Sequence, residues 1–220
     1  QLPGEQDPRR AAKVLGTTAL LEFRAQKPGT EQEMTGLLKL KRQAEAVLAQ
    51  SRQKPTDGQA KPEIKTEELA KALDQLGVQV PAGSSETEQL ELLLAEVNRR
   101  IVELYEPAQL TGKDLTSAGR QQQQTGSGWD VTLGFNTEGG RKFAELTQGI
   151  AGTGRLLGIV LDGRSISEAS VGPEFKPAGI TGGAASITGN FTAEEARDLE
   201  VQLRGGSLPL PVKLIEVRTV

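Results

Sequence analysis

The chain has no cysteine and no histidine among its 220 residues. Without thiolate or imidazole ligands no ordinary zinc site can be built. The same two absences remove the Ser-His and Cys-His pairs that activate most nucleophiles. A cysteine-free chain is compatible with any redox compartment and mildly suits an oxidising one, where a stray thiol is a liability. Aromatic residues make up only 3%. Lys and Arg are scattered, 26 against 29 Asp and Glu, with no basic stripe interleaved with aromatics, so nucleic acid is excluded as a partner. No apolar run approaches the roughly 20 residues of a membrane span; the longest, 156–161, is strand-sized. Gln1-Leu2-Pro3-Gly4 opens directly into a turn with no signal peptide, so the chain reads as a piece of something longer. Its other proportions, 36% hydrophobic and 25% charged, are those of a globular domain with room for a real core.

Three stretches differ in character. Residues 1–26 read as a short helix, capped at Asp7-Pro8 and closed at Gly16, followed by a β-rich run at 17–23. Residues 29–106 read as helical. Thr30 and Glu33 form a capping pair ahead of a stripe of Met34, Leu37, Leu38, Ala44, Val47 and Leu48. A turn-rich loop at 54–62 and a shorter helix at about 66–76 follow. Ser85 and Glu88 then open a helix striped with Leu90, Leu93, Leu94, Val97, Ile101 and Leu104, which Pro107 ends. Two long stripes joined in this way predict an antiparallel helical hairpin whose stripes pack on each other.

Residues 110–220 are mixed. Gln121 to Gln124 with the glycines behind them read as a flexible polar loop. Val131, Leu133 and Phe135 alternate as a strand, and a helix with Phe143, Leu146 and Ile150 inward starts near Thr137. Asp162-Gly163 between two β-rich runs is the signature of a type I′ hairpin. Residues 184–188 are a further strand candidate. Thr192 and Glu195 cap a helix carrying Ala196, Leu199 and Leu203 that Gly205 should stop, and a closing strand spans 212–220.

No catalytic constellation emerges. Gly152-Thr153-Gly154 lacks the third glycine of a dinucleotide loop, having Leu157 there, and it precedes a strand where a helix is needed. Gly112-Lys113 lacks the earlier glycine of a phosphate loop, and no GxSxG elbow occurs. Asn190-Phe191-Thr192 is formally a glycosylation sequon, but Thr192 has its role as a cap. No cofactor is expected.

Several ordered runs carry a resemblance. They are Leu110-Thr111-Gly112-Lys113-Asp114-Leu115, Asn136-Thr137-Glu138-Gly139-Gly140-Arg141-Lys142-Phe143-Ala144 and Ile159-Val160-Leu161-Asp162-Gly163. Further along come Gly189-Asn190-Phe191 and Arg204-Gly205-Gly206-Ser207-Leu208-Pro209, and the N-terminal Leu2-Pro3-Gly4 and Asp7-Pro8 match as well. Together they resemble the large periplasmic domain of the SecD family of bacterial protein-export accessories, with Ser207 and Leu210 departing from the usual alanines. The resemblance implies an α+β fold: a ferredoxin-like base at 1–26 and 180–220, an inserted α+β head at 110–175, and the helical hairpin at 29–106 as an addition particular to the lineage. It implies no enzyme, but a domain on the periplasmic or lumenal side of an inner (plasma or thylakoid) membrane protein. Its partners would be SecF, the SecYEG channel and unfolded preprotein, with the proton-carrying residues lying in transmembrane helices outside this chain. A second reading makes it a structural docking domain for another envelope or translocon protein. A head that swings on the base would pivot at Pro107 and at Gly179, Gly182 and Gly183. A polypeptide binder should present a shallow groove or an unpaired strand edge; a docking domain should present one contiguous apolar patch on the hairpin.

Overall fold

The computed structural model describes residues 20–51, 66–124 and 128–206. The expected helix at 7–16, the start of the first strand at 17–19, the loop at 54–62, the closing strand at 212–220 and the motif residues Ser207, Leu208, Pro209 and Leu210 lie outside them. The fold mixes helices with two antiparallel sheets. It divides into a helical unit, Lys27–Tyr105, and a sheet unit formed by the rest of the chain.

In the helical unit, α1 (Glu31–Ser51), α2 (Thr66–Gln75) and α3 (Glu86–Glu103) form where the stripes place them. Leu90, Leu93, Val97 and Ile101 of α3 are each 1% exposed or less, and Met34, Leu37 and Ala44 of α1 are buried. Full burial of such a side chain contributes roughly 1.5–3 kcal/mol. Leu38, Val47 and Leu48 are only half-buried, and Lys41 is buried on the stripe that the apolar pattern alone would give to leucine. Its four-carbon stem fills that position. The amide of Lys27 donates to the carbonyl of Leu104 at 2.8 Å, which brings the start of α1 beside the end of α3 and makes the two antiparallel.

The caps at Ser85 and Thr192 follow the sequence. The Ser85 hydroxyl accepts from the Glu88 amide while the Glu88 carboxylate accepts from the Ser85 amide, so both orphan donors are satisfied. That amide bond, with help from the Ser85 hydroxyl, holds the Glu88 carboxyl below its ordinary range. Helix α2 ends in a Schellman arrangement, Val78 donating to Leu73 and Gly77 to Asp74. Arg100 of α3 adds a bond from Nη2 to the Leu76 carbonyl, 3.0 Å, tying α2 to its neighbour.

In the sheet unit, one sheet has the order β2 (Leu110–Thr111), β1 (Leu21–Ala25), β5 (Leu156–Leu161), β6 (Arg164–Ser170). The other runs β3 (Leu115–Gln122), β4 (Trp129–Phe135), β7 (Ala184–Phe191). Helix α4 (Thr137–Ile150) follows β4, and α5 (Ala193–Gly206) follows β7. A single core joins both sheets and both helices. At its centre Phe23 of β1 meets Phe135 of β4 edge-on at 5.5 Å, and Phe135 stacks on Phe143 of α4 at 5.1 Å.

This pairing departs from the expected division. β1, expected in the base with 180–220, pairs with β5 and β2, which were expected in the head. Residues 184–191, also expected in the base, pair with β4 of the expected head. The reason is side-chain matching on one buried face: Leu21 opposes Leu161, Phe23 opposes Ile159 and Ala25 opposes Leu157. β7 sets its small Ala185 against Leu133 and Ile187 against Val131. A second difference is β3, which takes Gln121 and Gln122 out of the expected flexible loop. Only Leu115 and Ala118 of that strand are buried, so no alternation betrays it.

The hairpin at Asp162-Gly163 is as expected, with φ of 49° and 76° at the two turn positions. The Asp162 carboxylate also accepts the Leu20 amide at 2.8 Å, and its own amide donates to the Leu20 carbonyl at 3.0 Å. A turn residue thus pins the entry to β1.

Candidate functional site

Two of the sequence runs that carry the resemblance meet at one junction. The chain leaves β4 at Phe135 and enters α4 at once because Asn136 caps it, its Oδ1 accepting the Gly139 amide at 2.7 Å. Asp114, at the end of the other run, braces the turn. Its carbonyl accepts the Asn136 amide at 2.9 Å, and its carboxylate takes the Thr111 amide and Lys142 Nζ, each at 3.0 Å. A side chain at Gly139 would press to 2.8 Å on Asp114, so helix and brace touch through bare backbone.

Against the outer side of α4 lies the return that leads into β7. Gln148 Nε2 donates to the Pro177 carbonyl at 3.0 Å, the Thr147 hydroxyl accepts the Ile180 amide at 2.8 Å, and the Phe135 amide donates to the Gly183 carbonyl at 2.8 Å. Gly179 has φ of 69°, and a Cβ on it would fall 1.8 Å from the Ala144 carbonyl oxygen. Only glycine can occupy that position. Gly182 has open space around it.

Between the return and the first turns of α4 is a shallow groove of about 400 Å³, lined by Phe135, Asn136, Gly140, Arg141, Ala144 and Gly182 among others. At its rim Arg141 is held by Glu138 at 2.6 Å and by Glu145. These hydrogen bonds raise the guanidinium pKa further, Glu138 contributing most, and Arg141 in turn lowers that of Glu138. The lining offers glycine backbone, two threonine hydroxyls and apolar walls, with no nucleophile paired to a base.

The remaining sequence-derived residues are not gathered there. Asp162 and Gly163 form the hairpin tip, and Phe191 pairs with Trp129 at the end of β7. Gly189 and Asn190 lie in β7, and Gly205 lies within α5. Arg204 donates Nε to the Ala118 carbonyl at 2.9 Å, while Glu200 bonds Arg204 and pairs with Arg120 of β3. Pro107 lies in the connection between Tyr105 and β2. Of the four pivot candidates, Gly179, Gly182 and Gly183 are together on the α4 return and Pro107 is elsewhere. The sequence reading missed Asn136 as a cap, although an Asn directly before a helix was the available signal. Among the described residues, the large apolar side chains that are exposed are Leu20 and Val80, while Leu38, Val47, Leu48, Leu92 and Leu94 of the hairpin are half-buried. No helix among the described residues is long and apolar enough to cross a membrane.

Comparison with known proteins follows the same lines. The family model for the SecDF P1 head subdomain matches residues 87–210, a span wider than 110–175 that takes in α3 and α5. The model for the N-terminal part of the P1 domain of the translocase subunit SecDF matches residues 1–28. The translocase subunit SecD of Prochlorococcus marinus is 53% identical over the whole chain, and that of Synechocystis 47%; the chain spans 45% and 42% of their lengths. The SecDF subunit of Thermus thermophilus is 34% identical, again over the whole chain, which covers 23% of it. A solved structure of a membrane component, SecDF, described as enhancing protein export matches all of this chain and 78% of its own, with a TM-score of 0.54 at 30% identity. The alignment with the Thermus thermophilus subunit includes the helices at 29–106.

Proposed function

Because the chain belongs to the SecD family of protein translocase subunits, we propose that it is the non-catalytic, periplasmic or lumenal part of such a subunit and that it binds preprotein emerging from the export channel. In this reading the whole protein is anchored in the inner, plasma or thylakoid, membrane. It works with SecF and SecYEG, and a proton gradient supplies energy through membrane helices beyond this chain. The observation that supports the reading most is the family match over the whole chain, which covers the groove on α4 and both sequence runs that build it. An open lining of glycine backbone and hydroxyls suits an extended segment of variable sequence, since backbone groups are common to every polypeptide. The alternative, a structural docking domain for another envelope or translocon protein, would place the contact on the helical hairpin instead of this groove.

The resemblance further implies a stroke of the head that bends the backbone at Gly182 and Gly183; Gly179 is needed for packing whether or not anything moves. A binding measurement tests the reading. A fluorescently labelled secretory precursor, kept unfolded, should raise its anisotropy with this chain, and the same protein after folding should not. Equal binding of both forms, or of neither, would overturn it.

A further inference from the structure

The return into β7 is fixed at two points. The Ile180 amide donates to the Thr147 hydroxyl at 2.8 Å, and the Gly183 carbonyl accepts the Phe135 amide at 2.8 Å. Thr147 is buried, and its hydroxyl donates onward to the Phe143 carbonyl at 2.7 Å, so the first anchor is built into α4 itself. Between the anchors lie Thr181 and Gly182, both exposed and both on the wall of the groove. Among the described residues, the backbone amides and carbonyls of these two have no hydrogen-bond partner. Gly182 holds φ of 105°, outside the helical and extended regions, so the span continues neither β7 nor a helix. The facing wall offers backbone as well. A Cβ on Gly140 of α4 would come within 3.3 Å of the Gly183 Cα, so helix and return approach each other as bare backbone.

An exposed backbone group without a protein partner bonds to water and can exchange that water for a ligand. The side chains around the span select little. Ala144 and Gly140 are small, and the charge of Arg141 at the rim is balanced by Glu138 and Glu145. What is left to recognise a ligand is the two amides and two carbonyls, anchored on both sides before anything binds, which lowers the ordering cost. We propose that Thr181 and Gly182 read the main chain of an extended polypeptide, bonding to its peptide groups whatever its side chains; the inference rests on the reading of this groove as the preprotein site. The ligand class is any unfolded segment with free peptide N–H groups. A folded protein is refused because its peptide groups are already paired within its own helices and strands.

Peptides with esters in place of alternate amides test this, because replacing N–H by oxygen removes donors and keeps the side chains and the length. Two labelled, uncharged peptides of unrelated sequence should bind this chain alike. Their ester versions should bind about tenfold more weakly or worse, the loss expected of one or two main-chain hydrogen bonds. Hydrogen exchange at the Thr181 and Gly182 amides should slow about tenfold or more in the complex with the amide peptide, by the same measure. Exchange at the exposed Gly163, on the hairpin tip, should not change. Equal binding of ester and amide peptides would overturn the main-chain reader and leave the groove a preprotein site. Unchanged exchange at Thr181 and Gly182 in the complex would overturn it too. If neither peptide binds while the unfolded precursor does, the reader alone falls; if the precursor is not bound either, the reading of the groove falls with it.

Discussion

At the scale of single residues, glycines with a left-handed backbone separate into two kinds by what surrounds them. Gly179 is enclosed: a methyl group there meets the Ala144 carbonyl at 1.8 Å in a backbone conformation that L residues avoid. Gly154 has a similar φ, 80°, with nothing within 4 Å. Gly154→Ala should therefore cost about 1–2 kcal/mol, the conformational strain alone. Gly179→Ala adds overpacking of about 1–3 kcal/mol and should lower the melting temperature visibly further; equal losses in the two variants would mean that the return is not packed on α4. Such a distinction could not be read from the sequence, where both are glycines between turn residues. The Asp162-Gly163 turn was legible because its chemistry is local. The hydrogen bonds of Arg155 were not, since its partners Gln26 and Glu106 lie 129 and 49 residues away.

At the scale of elements, α3 shows how far local chemistry carries. Its cap, stripe and polar face were all legible, because each depends on spacings of three or four residues. The polar face includes Glu96, which bonds Arg99 at 2.6 Å and Arg100 at 3.0 Å. Its pKa is lowered to about 2, chiefly by the hydrogen bond from Arg99 and further by Arg100, against the opposing cost of burial. An unfolded carboxyl titrates near ~4.3. A depressed folded pKa contributes stability above the unfolded value that is lost as pH falls toward the folded one. The helical signal by circular dichroism should therefore weaken between about pH 4.5 and 2 in the parent, and Glu96→Gln should be less stable at neutral pH and flatter across that window. With Arg99 55% exposed, the effect should stay within about 1 kcal/mol; an identical acid profile in the variant would remove Glu96 from the account. Strand β3 is the contrary case. Its register comes from β4, and its side chains are mostly solvated, so no periodicity marked it.

For the whole molecule, segment types were legible and strand partners were not. The apolar alternation of β1 showed that one face is buried but not against which strand, and the pairing with β5 spans more than 130 residues. Contacts divide the chain at Lys27 and Tyr105, and the Glu106 amide bonds the Ala25 carbonyl at 2.8 Å, so a two-residue turn can bridge Gln26 to Glu106. Deleting 27–105 across that bridge should leave a cooperatively melting sheet unit; a molten product would make the helices part of its core. The claim that the family match and the α4 groove together support is that this groove receives preprotein. Photo-crosslinking groups at Thr137 and Thr181, in the full-length membrane protein beside a translocation-stalled secretory chain, test it most directly. The expected result is an adduct with the stalled chain from both positions and none from Val80 on the helical unit. Adducts from Val80 alone, or with folded envelope proteins in place of the stalled chain, would contradict it.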